Sequence, residues 1–252
     1  MPQRVLITGA GGLIGQILRA GLADGRLVRG LDVARHPGVD HVANMTKLRR
    51  ARRAFRDLDA VVDLAADPSL SASWRAVRRN NVPATLNALE AARLAGVRRV
   101  VFASSNHVVG GYERDEPYAS VVAGRYDGLD PGRLPRLRSD AAIRPDTPYA
   151  VGKALGEAAA RFYAEVHELS VICLRIGTVN RESRPTTPRH FATLLTHRDL
   201  VHLVDCCLAA PPEVGFAVVY GVSANTWRIW DIEEARALLG YSPRDDAERF
   251  RA

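Results

Sequence analysis

The sequence predicts one doubly wound α/β domain, with a mostly parallel sheet covered by helices on both faces. Short apolar runs without polar alternation, the pattern of strands buried on both faces, alternate with helix-like stretches. The first such run ends in a glycine-rich turn that opens a helix. The chain has 252 residues, 47% hydrophobic and 25% charged, which is enough for a single well-buried core.

The elements follow in order. Arg4–Thr8 (RVLIT) reads as a buried strand, and a helix begins near Leu13 after the glycine turn. Leu27–Asp32 is a second strand, Val42–Asn44 a short third, and Ala60–Ala66 (AVVDLAA) an apolar fourth. A long helical stretch is expected from about Ser73 to Ala95, then a fifth strand at Arg99–Ser105 (RVVFASS). Pro148–His167 reads as a helix with Thr147 as its N-cap and proline in its first turn. Ser170–Ile176 (SVICLRI) and Phe216–Tyr220 (FAVVY) complete the strands. Two irregular stretches, 111–146 and 180–189, are long enough to be functional or mobile.

The turn Thr8-Gly9-Ala10-Gly11-Gly12-Leu13-Ile14-Gly15 contains Gly9-x-x-Gly12-x-x-Gly15. Glycine permits a sharp turn and close approach to a pyrophosphate, and the helix start offers free N–H groups and a positive dipole end. On the first strand–turn–helix of an α/β chain this pattern points to a dinucleotide in a Rossmann-type fold. Asp32 ends the second strand, where a carboxylate binds the ribose hydroxyls of NAD and repels the extra phosphate of NADP. NAD is the expected cofactor, although Arg35 stands three residues beyond.

Tyr149 and Lys153 lie at i and i+4 in the first turns of the 148–167 helix and share a face. Lysine occurs only at positions 47 and 153, and every other one of the 35 basic residues is arginine. A lysine at 153 therefore marks a place where a compact ammonium is needed and a guanidinium does not serve. A positive neighbour favours a phenolate, which can take the proton of an alcohol while hydride leaves for a cofactor. Ser104 and Ser105 end the fifth strand, at the sheet edge where open α/β sheets hold ligands.

Composition narrows the rest. The net charge is +7, and the densest basic run, Lys47 to Arg53, has no interleaved aromatics and no nucleic-acid motif, so it reads as a solvated helix face. No apolar stretch approaches the ~20 residues of a membrane helix, and the first strand starts almost at Met1 without a signal-peptide pattern. The expected location is the cytoplasm. Cys173, Cys206 and Cys207 have no metal-type spacing and read as small buried hydrophobes; no metal is expected.

These residues together resemble the extended short-chain dehydrogenase/reductase superfamily, of the NAD-dependent epimerase/dehydratase type, over nearly the whole chain. The matching stretches are the glycine turn at 9–15, Asp32, Asn81 in NNVPATLNALEAA, SSNHVVG at 104–110 and YAVGK at 149–153. Within it the chain is most similar to uronate dehydrogenases, through FASSNHVVG (102–110), RIGT (175–178), RHFATLLTHRDL (189–200) and YGVSAN (220–225). The resemblance implies oxidation of glucuronate or galacturonate at C1 to the aldarolactone with NAD. It implies a catalytic set of Ser105, Tyr149 and Lys153. Cofactor contacts would come from Gly9, Gly12, Leu13, Ile14, Gly15, Asp32, Asn44, Met45, Leu64, Ala65, Ala66, Asn81, Tyr149, Lys153 and Ile176. Substrate contacts would come from Ser69, Ser105, Asn106, His107, Tyr149, Thr178 and Arg189, with Arg189 clamping the substrate carboxylate.

Asn44 stands where the family usually has an aspartate, and the 111–146 segment is longer than expected. Residues 1–177 are expected to form the NAD-binding core, interrupted at about 111–147, with 178–252 mainly a substrate lobe in a single domain. The resemblance also implies a homo-oligomer paired through the helices near 73–95 and 148–167. Two alternatives stay open: a nucleotide-sugar epimerase or dehydratase of the same superfamily, disfavoured by the short stretch after Gly177, and a non-catalytic NAD-binding regulator.

Overall fold

Every strand segment enters one continuous ladder. In the computed structural model, which describes residues 2–251, the strands are β1 (Gln3–Thr8), β2 (Arg26–Asp32), β3 (His41–Val42), β4 (Ala60–Asp63), β5 (Arg99–Ser105), β6 (Ser170–Ile176) and β7 (Phe216–Gly221). They form a 7-stranded sheet in the order β3-β2-β1-β4-β5-β6-β7, and each adjacent pair is parallel. The helices are α1 (Leu13–Leu22), α2 (Leu48–Ala51), α3 (Trp74–Ala76), α4 (Val82–Leu94), α5 (Tyr118–Val122), α6 (Pro148–His167), α7 (His190–Thr193), α8 (His197–Ala209) and α9 (Glu233–Leu239). Strand order reverses at β1, between β2 and β4, which opens a crevice at the carboxyl edge of the sheet.

The two faces bury separate cores. Val5, Ile7, Val62, Ile172 and Leu174 pack with Leu18 of α1 and Leu203 and Val204 of α8. Leu6, Val61, Phe102 and Cys173 pack with Ala88 and Leu89 of α4 and Ala160 of α6. Within the 178–252 range, expected to be mainly a substrate lobe, α8 and β7 belong to this layered core.

Local chemistry explains where elements stop. The expected fourth strand ends at Asp63, because the Thr8 hydroxyl accepts the N–H groups of Leu64 and Ala65 at 3.1 Å each and turns the chain. Asn44 leaves the third strand in an Asx turn, its side-chain oxygen accepting from Thr46 N–H at 2.9 Å. The expected 73–95 helix is interrupted by a π turn at Val77–Asn81, a device that inserts one residue and redirects a side chain. α6 runs as expected, with Thr147 capping Ala150 N–H.

The 111–146 segment is packed. A 3-10 segment (Asn106–Arg114) and α5 bring Val109, Tyr118, Val121, Leu134 and Leu137 against Tyr220, Val222, Trp227, Ile229 and Trp230. Leu137 exchanges backbone bonds with Ile229 and Asp231 at 2.8 Å. The segment and the chain after β7 thus share a satellite core and form the lobe above the sheet edge.

One buried ion pair locks α6 to the sheet. Arg175 on β6 meets Glu157 on α6 through two bonds of 2.9 and 2.8 Å, with side chains 4% and 9% exposed, and Ser104 donates to the same carboxylate at 2.6 Å. Burial opposes the Arg175 charge, but the Glu157 bonds and field outweigh it and hold the guanidinium firmly protonated. Glu157→Ala strands that guanidinium in a dry site and is expected to lower unfolding free energy by about 3–5 kcal/mol. Urea denaturation checks this. An apolar double replacement, Glu157→Leu with Arg175→Met, is expected to recover part of the loss.

Candidate active site

The crevice at the carboxyl edge is a cleft of about 870 Å³ whose lining runs from the glycine turn, across β4 and β5, to Arg189. At one end Gly9 has φ +65, and a Cβ there would meet the Leu64 carbonyl at 3.1 Å. A Cβ on Gly15 would lie 2.5 Å from the Gly9 oxygen, so α1 starts this close to β1 only with glycine. Gly12, at the start of α1, has no side-chain cap, which leaves first-turn N–H groups facing the cleft. Asp32 accepts from Gly11 N–H at 2.9 Å, fixing its carboxylate beside the turn. An uncapped helix start, a close glycine approach and a fixed carboxylate at the end of β2 fit a pyrophosphate and an unphosphorylated ribose.

The middle of the cleft carries the reactive side chains. Tyr149 and Lys153 project from α6, 9% and 4% exposed. The Lys153 ammonium donates to the Ala103 carbonyl at 2.5 Å and lies 4.9 Å from the Phe102 ring centre and 5.7 Å from that of Tyr149. Ser105 ends β5, and its hydroxyl accepts from His107 N–H at 3.2 Å. Below them, burial drives the Asp63 carboxyl up from its ordinary 3.8 to about 6, against the Thr8 hydroxyl and the Lys153 ammonium, which pull it down.

The far end is built from two segments. Asn106 donates to the Ile176 carbonyl at 2.8 Å and accepts from Arg189 at 2.7 Å. Thr178 shares a hydrogen bond with Thr193 at 2.8 Å and accepts from Arg189 at 3.3 Å. His107 Nδ1 is 2.8 Å from Asp146. Burial works to raise the Asp146 carboxyl, but the bond to His107 and its field hold it below the ordinary value.

Of the sequence-derived residues, Gly9, Gly12, Leu13, Ile14, Gly15, Asp32, Asn44, Met45, Leu64, Ala65, Ala66, Ser105, Asn106, His107, Tyr149, Lys153, Ile176, Thr178 and Arg189 all line this cleft. Asn81 and Ser69 do not. Asn81 sits behind the wall, where the π turn points it at the Asp67 backbone, exchanging two 3.0 Å bonds with its N–H and carbonyl. Ser69 is exposed and bonds Ser71, while its neighbours Pro68 and Leu70 form the lining. Three contributors escape sequence reading: the Ala103 carbonyl, Glu113 and Asp146. A carbonyl leaves no mark in a sequence, and the two carboxylates flank an irregular segment whose path no periodicity reveals. Among the described residues, no group of three His, Cys, Asp or Glu side chains is arranged to hold a metal ion, and no helix is long and apolar enough to cross a membrane.

Comparison with known proteins decides the family. The NAD dependent epimerase/dehydratase family matches residues 5–201. The chain belongs to this family. An NAD-dependent glucose-6-phosphate dehydrogenase of Haloferax volcanii is 36% identical, covering 99% of this chain and 96% of that protein. A uronate dehydrogenase of Pseudomonas syringae pv. tomato is 34% identical, covering 99% and 84%. The crystal structure of uronate dehydrogenase from Agrobacterium tumefaciens superposes with a TM-score of 0.82 at 30% identity, over 99% of this chain and 87% of that one. Membership makes the chain an enzyme dependent on NAD, and the residues at the glycine turn and Asp32 fit that cofactor.

The Asp63 carboxyl links stability to pH. Its folded value, about 6, lies above the ordinary 3.8, so the folded chain holds this proton more tightly than the unfolded chain. The contribution is complete below pH 4 and is lost as pH rises towards 6, so stability falls across that window. Asp63→Asn keeps an acceptor for Thr8 and is expected to abolish the decline, gaining at most about 3 kcal/mol above pH 6. Thermal melts of both proteins between pH 4 and 8 check it; parallel curves refute the assignment.

Proposed function

We propose that the chain is a sugar dehydrogenase that oxidises the anomeric carbon of a cyclic aldose to its lactone with NAD. The observation that carries the reading is the buried Lys153 ammonium beside Tyr149, at the end of β5 that bears Ser105, in the same cleft as the glycine turn. Bound NAD supplies the hydride acceptor for C1. Ser105 holds the O1 hydroxyl, and Tyr149, as phenolate, takes the O1 proton. Lys153 favours that phenolate and binds the nicotinamide ribose. Ile176 lines the wall beside the nicotinamide, and Asn106, His107 and Thr178 take the ring hydroxyls.

A hexuronate is the finer form of this reading, and it requires Arg189 to be free for the substrate carboxylate. Arg189 as found is paired with Glu113, which favours a second form of the same reading, a sugar without a carboxylate. Following NADH absorbance with NAD and a panel of aldoses, aldose phosphates and hexuronates tests the common part. Turnover of some panel member is expected, and Tyr149→Phe is expected to lower kcat by about 10²–10⁴-fold with NAD affinity kept. Silence on the whole panel, or full activity in Tyr149→Phe, overturns the proposal.

We also propose that the chain pairs with a second copy through α4 and α6. Val151, Leu155, Phe162 and Val166 are exposed on one stripe of α6, and Leu86 and Leu94 are exposed on α4, more apolar surface than scattered exposure explains. Light scattering is expected to give a dimer mass, and Phe162→Glu a monomer. A monomeric parent protein refutes the pairing.

A further inference from the structure

The substrate end of the cleft contains a cation that is already answered. Arg189 carries five N–H groups. Its Nε donates to Glu113 Oε2 at 2.7 Å and its Nη2 to Glu113 Oε1 at 2.6 Å, a two-point pairing along one edge of the guanidinium. The second Nη2 hydrogen goes to Asn106 Oδ1 at 2.7 Å, and Nη1 donates to Thr178 at 3.3 Å. One N–H remains, on Nη1. A carboxylate held bidentately needs two parallel donors from one edge. One edge faces Glu113, and the other has its Nη2 hydrogen committed to Asn106.

Charge points the same way as donor count. The Arg189 and Glu113 side chains are 25% and 14% exposed, so water screens a third charge brought beside them only in part. A substrate carboxylate arriving at Arg189 would meet a like-charged carboxylate on the same guanidinium and would have to displace it. A sugar hydroxyl or ring oxygen meets no such penalty and can use the remaining Nη1 donor. The other base at this end, His107, also faces a carboxylate, that of Asp146. Neither Arg189 nor His107 therefore faces the pocket without an acidic partner from the protein.

We propose that Glu113 is a specificity-determining residue, which occupies Arg189 and sets this enzyme for aldoses whose far end is uncharged, against hexuronates. Glu113 reaches the site from the 3-10 segment after β5, at the start of the packed 111–146 segment. The inference rests on the C1-oxidation reading for where the sugar sits, but its decisive readout is binding.

The experiment measures dissociation constants of glucose, glucose 6-phosphate and glucuronate on the complex with NADH, where no turnover occurs, for the parent protein, Glu113→Gln and Glu113→Ala. NADH fluorescence and melting temperature report whether each variant is folded and loaded. The parent is expected to bind glucose at least about tenfold more tightly than glucuronate. Either variant is expected to shift that ratio towards glucuronate by about tenfold or more, with NADH affinity unchanged. Tighter parent binding of glucuronate or glucose 6-phosphate than of glucose overturns the proposal, as does an unchanged ratio in both folded variants. A shifted ratio without NADH formation from any sugar sinks the C1-oxidation reading and leaves the role of Glu113 standing. Turnover with an unshifted ratio does the reverse.

Discussion

The ammonium of Lys153 donates to the Ala103 carbonyl across 2.5 Å in a site where the side chain is 4% exposed. Taking a charge that far out of water costs several kcal/mol unless other groups replace the solvent. Here the replacements are the carbonyl, the faces of Phe102 and Tyr149, and the field of the Asp63 carboxyl. They come from three elements, so the ammonium finds its environment only if β4, β5 and α6 are assembled together. An arginine has a wider, planar head that the same pocket would not close around, which gives physical sense to a buried lysine in a chain whose other basic residues, Lys47 apart, are arginine.

That constraint orders the rest of the cleft. α6 must cross the sheet edge at a set height, and the Arg175–Glu157 pair with Ser104 holds it there from below. The π turn before α4 then lets Asn81 reach back and pin the loop after β4 through Asp67. Asn81 and Glu157 do not line the cleft; they hold the walls that do.

The layered core was legible because its signals are local. Continuous apolar runs named the strands, Thr147 and Pro148 named the start of α6, and the spacing of Gly9, Gly12 and Gly15 named the turn. The cleft was legible where it is assembled from strand ends, since Asp32, Ser105 and Ile176 sit at carboxyl edges that the fold brings together. The reading failed where position depends on tertiary contact. The π turn is a packing response that no helical periodicity announces, so Asn81, read from the sequence as a cofactor contact on the helix behind the site, is found holding the Asp67 backbone there. Ser69 sits on a loop whose neighbours face inward while it faces out. The 111–146 segment looked structureless because its core is shared with Trp227, Ile229 and Trp230, more than eighty residues away along the chain.

The two ends of the substrate cleft treat charge in opposite ways. At the Tyr149 end the ammonium is left with dipoles, ring faces and the field of the Asp63 carboxyl, in a place where low polarisability makes its own field strong. At the far end each base is matched at contact distance, Arg189 by Glu113 and His107 by Asp146. The Arg189–Glu113 pair presents donors and acceptors with little net field, which suits the reading of neutral hydroxyls by geometry. The carboxylates that do this matching lie near the two ends of the 111–146 segment. A segment that adds no group to the Tyr149–Lys153 centre can therefore alter the charge at the far end of the cleft while leaving that centre untouched.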